Sequence, residues 1–415
     1  MLRVIALASL VALAGCHRQA NAPGEAPTGM AVTPGQGLVT VSWDPQPGLT
    51  YWIFFQLGST VTAAAPGAPL IFDAQSPRVI GGLVNGTQYA FVMNATNQDS
   101  PGGPSTPVLL AVPRLAGASW TSGAPLGSAP QNLNAVAYGA ALNRIVAVGD
   151  SGSFFAGDFN YTSTSPPGVT AWTPATSIPN GFVSNLSAVI SSGGQFVALG
   201  SDGSILTSPD GNAWTSAAPI PNNGARMNNL AFGLVSDAIK YVAVGDSGNI
   251  FTSTNLDAWT PATASNTIND LYSVSFLNNG FVATGANGTL LTSTDTSTWT
   301  PQSSNTLMAL RGATYGTGSA GASSYVAVGD SGTIVTSTDG TNWSLAPPPL
   351  SQNLRAIRFG SRFVAVGQGG AVVYSDDAIN WSLSSVPGSA DLAAIIATPA
   401  SYFAVGASGA NAVSR

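Results

Sequence analysis

The sequence predicts an all-β chain, a small β-sandwich followed by a seven-bladed β-propeller. Three observations carry that reading. Only 7% of the 415 residues are charged while 44% are hydrophobic and 48 are glycines, so the chain is turn-punctuated and poor in surface charge. A four-residue signal, Val-Ala-Val-Gly or a near variant, ends at Gly149, Gly200, Gly245, Gly285, Gly329, Gly367 and Gly406, which spaces the copies 38–51 residues apart. That is the period of propeller blades. Six tryptophans followed by Thr or Ser (Trp172, Trp214, Trp259, Trp299, Trp343 and Trp381) close successive copies.

The supply of reactive side chains narrows the function. One Cys (Cys16), one His (His17) and one Glu (Glu25) all lie within the first 25 residues. Beyond them the chain has no Cys nucleophile, His base, disulfide or ordinary zinc site, so no cofactor, no metal and no catalytic residue is expected. Twelve Lys and Arg against 18 Asp and Glu give a net charge of −6. Eleven of the cations are scattered arginines and the twelfth is Lys240, which leaves no basic footprint and no nucleic-acid partner.

Residues 1–16 read as an address. Arg3 precedes an apolar run from Val4 to Leu13, and the stretch ends Leu13-Ala14-Gly15-Cys16, the pattern of a signal segment. It resembles the lipobox of bacterial lipoproteins. That resemblance implies cleavage before Cys16, acylation of its thiol and new N-terminus, and the membrane as a partner through this anchor. The next residue is His17, not the Asp that resembles an inner-membrane retention signal, so the resemblance implies the cell envelope and its outer membrane. A plain secretory signal with an incidental Cys is the alternative. Residues 17–26 form a polar tether.

Residues 27–113 alternate like half-buried strands between Gly, Pro and Asn breaks. Leu38–Trp43 reads as one strand, Thr50–Phe55 as the next, and Leu83–Val92 as a later one. Trp43 and the Leu83, Gly86-Thr87, Tyr89 corner resemble a fibronectin type III domain, in which such a Tyr bonds upstream backbone. The resemblance implies a spacer between anchor and working module.

Residues 114–415 hold the repeats. Each copy follows a strand such as Leu133–Gly139 or Leu354–Gly360, turns tightly, continues in a strand such as Thr333–Ser337, and ends at Trp, which makes four strands per blade. Seven copies meet only six tryptophans, while Ser119-Trp120-Thr121 stands before the first copy. Residues 118–122 are therefore expected to supply the outer strand of the last blade, a closure that removes exposed strand edges.

The turn before each Trp has its own pattern. Ser208–Trp214 and Ser337–Trp343 are clearest, and Ser293–Trp299 and Ser375–Trp381 are partial. They resemble the Asp-box repeats of sialidase-type propellers, with the Asp-to-Trp spacing one residue shorter. Asp210, Asp295, Asp339 and Asp376 are expected to accept N–H bonds in their own turns, and Trp214, Trp299, Trp343 and Trp381 to wedge between sheets. The array also resembles the propellers of photosystem II assembly factors, which implies no catalysis. Sialidases pair a Tyr nucleophile with Glu, and this propeller has no Glu. A carbohydrate-active enzyme using Asp carboxylates alone is the alternative.

Two motifs mislead by their letters. Gly149-Asp150-Ser151-Gly152 recurs at Gly245–Gly248 and Gly329–Gly332, so it is a repeated hairpin turn and not a protease nucleophile. Gly316–Gly321 spells a dinucleotide fingerprint but joins two strands. What remains is a face. Arg311 and Arg355 hold the second position of the first strand in adjacent blades, Asn134, Asn228 and Tyr272 hold it elsewhere, and Arg226 lies just before the third blade. These residues are the candidate binding face for an anionic group. Turn residues Asp150, Asp202, Asp246 and Asp330 are expected on the same face, where they pair the arginines or attract a cation. The sequence thus reads as a non-catalytic envelope lipoprotein that binds a protein or envelope polymer, or as an assembly factor for a membrane complex.

Overall fold

The structure, a computed structural model, describes residues 23–63, 69–97, 101–127, 131–160, 168–319 and 321–414. The lipobox and Cys16 lie outside the described residues. The chain divides into two compact units, one made mainly of residues 39–80 and 86–112 with the segment up to Pro34, and one made of Gly35–Leu38, Gly81–Asn85 and the chain from Pro113 onward.

In the first unit, β1 (Ala31–Gly35), β2 (Leu38–Ser42) and β5 (Arg78–Gly81) form one sheet. A second sheet has the order β4 (Leu70–Ile71), β3 (Thr50–Leu57), β6 (Tyr89–Thr96), β7 (Leu109–Ala111). Val39, Val41, Ile53, Phe91 and Met93 are buried, and Trp43 packs on Tyr51 at 5.3 Å. The Tyr51 hydroxyl accepts the Gln46 N–H at 2.7 Å. The strand expected over Leu83–Val92 starts only at Tyr89. Gly86, at φ +78, turns the chain ahead of it, a backbone state that Gly enters without steric penalty.

Among the described residues the second unit contains seven four-stranded antiparallel sheets. Their innermost strands are Leu133–Gly139, Leu186–Ser192, Met227–Val235, Leu271–Leu277, Leu310–Thr317, Leu354–Phe359 and Leu392–Ala397. Each packs beside the next and the last packs beside the first, so the sheets close into a propeller. We number the blades 1–7 in that order. Every second strand carries the Val-Ala-Val-Gly signal and is buried on both faces, as in Phe363–Gly367. A blade sits between two neighbours, which replaces polar–apolar alternation with a continuous apolar run.

The Gly that ends each signal answers to a close approach. A Cβ on Gly329 would collide with the Ala309 carbonyl, and the equivalent collision recurs between Gly367 and the Asn353 carbonyl. The following turn places Ser331 at φ 55 and Gly332 at φ +68. These turns are stapled by the neighbouring blade: the Asn185, Asp270, Asn353 and Asp391 side chains accept the N–H of Ser151, Ser247, Ser331 and Gly369 at 2.8–2.9 Å. Asn132 does the same for Ser408 at 3.1 Å, bonding blade 1 to blade 7. Sequence reading missed this staple, whose signal is an Asn or Asp just before an inner strand.

The box turns are local structure. Asp339 Oδ1 accepts the N–H groups of Thr341 and Asn342 at 2.8 Å each, Ser337 Oγ accepts the Gly340 N–H at 2.9 Å, and Trp343 Nε1 donates to the Gly340 carbonyl at 3.0 Å. Blades 2 and 4 repeat the carboxylate pattern with Asp210 and Asp295. In blade 6 the assignment to Asp376 is corrected. Asp377 accepts the Ile379 and Asn380 N–H bonds, while Asp376 grips Arg362 through two bonds of 2.8 and 3.0 Å. Two adjacent aspartates made the alignment ambiguous, and the offset of two residues from Ser375 decides it. Blade 3 has a version with Asn255 in place of Asp. The stretches that begin at Thr260, Thr300 and Ser344 open with outer strands of two or three residues before the inter-blade loops.

Blade 7 is completed across the sequence. Its sheet runs Leu392–Ala397, Tyr402–Gly406, Asn411–Ser414, Trp120–Ser122. The box there is split between distant residues. Ser414 Oγ accepts the Gly117 N–H at 2.7 Å, as Ser208 Oγ accepts that of Gly211 at 2.8 Å. Trp120 Nε1 then donates to the Gly117 carbonyl at 2.9 Å, as Trp214 Nε1 does to Gly211 at 3.1 Å. Trp120 is buried with Val364, Val366 and Val372 of blade 6 and Tyr402 and Ala404 of blade 7.

The box carboxylates set an acid limit. The Asn342 and Thr341 N–H groups hold Asp339 well below the usual carboxylate range; in Asp377, burial pushes upward but the Asn380 and Ile379 bonds win and bring it down to about 2. A carboxyl whose folded pKa lies below its unfolded value stabilises the fold fully above about pH 4 and loses that contribution as pH falls toward 2. The melting temperature is therefore expected to fall by several degrees between pH 4 and pH 2. Asp339→Asn combined with Asp377→Asn should flatten that slope, and an unchanged acid slope in this variant would refute the assignment.

Candidate functional site: the axial channel

The inner strands of all seven blades line one cavity of about 550 Å³ along the propeller axis. Asn134, Asn228, Tyr272, Arg311 and Arg355 all line it, together with Ser187. Each is the second residue of its inner strand, where the pairing registers show a bulge, as between Leu310 and Gly312. The extra residue of a bulge is released from the ladder and re-aimed, which here turns it to the axis. Arg226 does not line this cavity. It occupies the staple position before Met227, is exposed, and its carbonyl accepts the Asp246 N–H at 2.9 Å.

Most of this ring is already engaged. Asn134 Nδ2 donates to Asp150 Oδ1 at 2.8 Å and to the Leu186 carbonyl of the next blade at 3.0 Å. Asn228 repeats this with Asp246 at 2.8 Å and Leu271 at 2.9 Å. Arg311 makes a forked pair with Asp330, 2.8 Å on each arm, and lies 4.5 Å from the Tyr272 ring centre. The Asp330 hydrogen bonds raise the guanidinium above its ordinary basicity against the opposing effect of burial. Asp202 caps its own turn through the Ser204 N–H at 3.0 Å. The four turn aspartates are thus occupied by protein donors.

Arg355 differs. Its blade has Gln368 at the turn position that Asp330 holds beside Arg311. Among the described residues Arg355 makes no hydrogen bond or ion pair. A third guanidinium, Arg358, also lines the cavity. Sequence reading passed over it, because it lies mid-strand and only the bulge register sets its direction. Arg358 is exposed to solvent, and the protein around it lowers its basicity by desolvation. Among the described residues no Asp or Glu lines the cavity. A chain of net charge −6 thus carries a cationic axis.

The inter-blade loops border the same mouth. The Gly152 N–H donates to the Ser184 carbonyl of the loop between blades 1 and 2, so turns and loops share one face. That face presents Val183, Ile268, Leu307 and Met308, which are 74%, 89%, 81% and 45% exposed. Leu307 and Met308 are adjacent, while Val183 and Ile268 stand on other loops of that face.

Comparison with known proteins gives a likeness of fold. No protein-family model matches the sequence, and no curated protein matches it. A structure described as YCF48 bound to D1 peptide is 16% identical with a TM-score of 0.54, over 71% of this chain and 96% of that one. YCF48 from Cyanidioschyzon merolae is 18% identical with a TM-score of 0.53, over 71% and 98%. A catalytically inactive virginiamycin B lyase from Staphylococcus aureus with quinupristin is 11% identical with a TM-score of 0.59, over 71% and 98%. One scaffold thus serves a peptide complex and an enzyme, and function must be argued from the site. The chain is similar to these proteins as a β-propeller.

Proposed function

We propose that this protein is a non-catalytic, lipid-anchored protein of the bacterial outer membrane whose propeller holds a protein partner at the mouth of its axial channel. Residues 27–113 serve as a fibronectin type III spacer, and Cys16 carries the anchor. The observation that supports this most is the unengaged Arg355 on a rim that also presents apolar loop tips. An acidic segment with apolar neighbours complements such a rim, since Arg binds carboxylates through a planar fork and buried apolar side chains supply affinity. The peptide complex of the similar YCF48 propeller favours a protein over a polysaccharide, and an assembly role on a membrane complex is compatible with the same surface. Against a glycosidase stands the commitment of the mouth aspartates to Asn, Arg and backbone N–H donors, which leaves no free carboxylate pair there among the described residues.

Two results are expected. Cys16→Ser should abolish acyl labelling, because no other thiol exists; normal palmitate incorporation would overturn the anchor. In crosslinking and pull-down from intact envelopes, Arg355→Ala should lose at least tenfold in partner capture with an unchanged melting temperature. Arg311→Ala should melt earlier, because it leaves Asp330 without its partner. Equal capture by wild type and Arg355→Ala would defeat the reading.

A further inference from the structure

Below the mouth, the sheet registers stack the channel in levels. The level after the bulge is made of Ala and Gly in five blades, with Asn229 and Ser273 in the others, so it leaves the axis open. Two residues further along, Arg358 pairs with Val364, which puts it level with Ala137, Ile190, Ala231, Ser275, Thr314 and Ile396. It is the one charge in that level. Its five N–H donors meet no acceptor among the described residues.

Arg358 is exposed, so its guanidinium is open to solvent and to an anion that enters the channel. Arg311, with Asp330, shows how this fold pairs a cation when the cation is structural. Arg358 has no such partner, and neither does Arg355 on the same strand. Their α-carbons lie about 10 Å apart at the ordinary strand rise, a gap that two long side chains reach across. The cavity of about 550 Å³ falls within the size of small-ligand sites.

We infer that the channel is a binding site for a carboxylate or phosphate group, which enters through the mouth and is gripped between Arg355 and Arg358. The inference rests on the mouth being the binding face and adds what is bound there: an oxyanion, on a free small acid or on an acidic segment of the partner. Arg355 meets it first, and Arg358 lies beyond the level of small side chains.

The test titrates the full chain with inorganic phosphate, succinate and an acetylated acidic hexapeptide, by calorimetry and by thermal melting at low salt. At least one probe should bind one-to-one and raise the melting temperature. Arg358→Gln and Arg355→Gln should each weaken it at least tenfold, while Lys240→Gln stays within twofold. Arg358→Met should melt close to wild type without anion, because the exposed side chain bonds to no described residue, and should lose the anion-induced rise. Binding of phosphate or succinate identifies a free acid as the source; binding of the peptide alone identifies the partner. No binding by any probe at 10-fold molar excess over millimolar protein, or undiminished binding in Arg358→Gln, would overturn the inference. Loss of envelope-partner capture in Arg355→Ala together with intact capture in Arg358→Gln and no probe binding would overturn this site and leave the partner reading standing. Probe binding that depends on both arginines, without any partner capture, would do the reverse.

Discussion

Trp120→Ala in the full chain is expected to destabilise the propeller by ~3–5 kcal/mol, the usual range for truncating a buried Trp. Trp120 is 8% exposed and fills the space between blades 6 and 7. Its loss removes that packing and also the hydrogen bond to the Gly117 carbonyl that holds the split box together. The outer strand Trp120–Ser122 pairs with Asn411–Ser414 through only three residue pairs, so it should detach and open an edge on blade 7. Against total stabilities of ~5–15 kcal/mol this is a large fraction. Trp172→Ala, which removes a partly exposed ring from blade 1, should lose less. Denaturant melts of the three proteins decide it, and a Trp120→Ala midpoint equal to that of wild type would disprove the closure.

Gly329→Ala comes second. Its φ of −164 is extended backbone open to any residue, so the effect does not come from conformational preference. It comes from the Ala309 carbonyl, which would meet the new Cβ and which accepts the Asp330 N–H at 2.9 Å. One methyl group therefore has to displace backbone that holds the turn, and overpacking of this kind costs ~1–3 kcal/mol. Gly312→Ala, one strand away in the same blade, adds a Cβ whose nearest neighbour is the Ala356 Cα at 3.5 Å, an ordinary contact. It should be neutral or slightly stabilising. Equal losses for the two variants would show that glycine entropy, and not the collision, governs the signal.

Much of the fold was legible in the sequence, because a repeated blade writes the same physical demands several times. The apolar run of Val-Ala-Val repeats because the second strand of each blade lies between two blades, and its final Gly repeats because a carbonyl approaches it in six blades and the Asp202 carboxylate approaches Gly200 in the other. Seven signals against six tryptophans already implied a borrowed strand. The boundaries were less legible. The strand read over Leu83–Val92 starts at Tyr89, and the outer strands of two or three residues were too short to stand out from loops. Asp376 and Asp377 carry the same letter, and only their hydrogen bonds separate a box carboxylate from the partner of Arg362.

The candidate site divides along a physical line. The sequence by itself determined which side chains share a position in the repeat, so it grouped Asn134, Asn228, Tyr272, Arg311 and Arg355 from spacing alone. It also determined that the folded units work without His, Cys or Glu beyond residue 25. Only the tertiary structure decided which of those cations are free. Arg311 and Arg355 look equivalent as letters, yet Asp330 binds one while Gln368 leaves the other unpaired. Arg226 falls outside the channel and Arg358 falls inside it, because a bulge of one residue resets which way every later side chain on the strand points. Pairing of charges and direction of side chains depend on neighbours brought together from different blades, and a linear repeat carries no record of those distances.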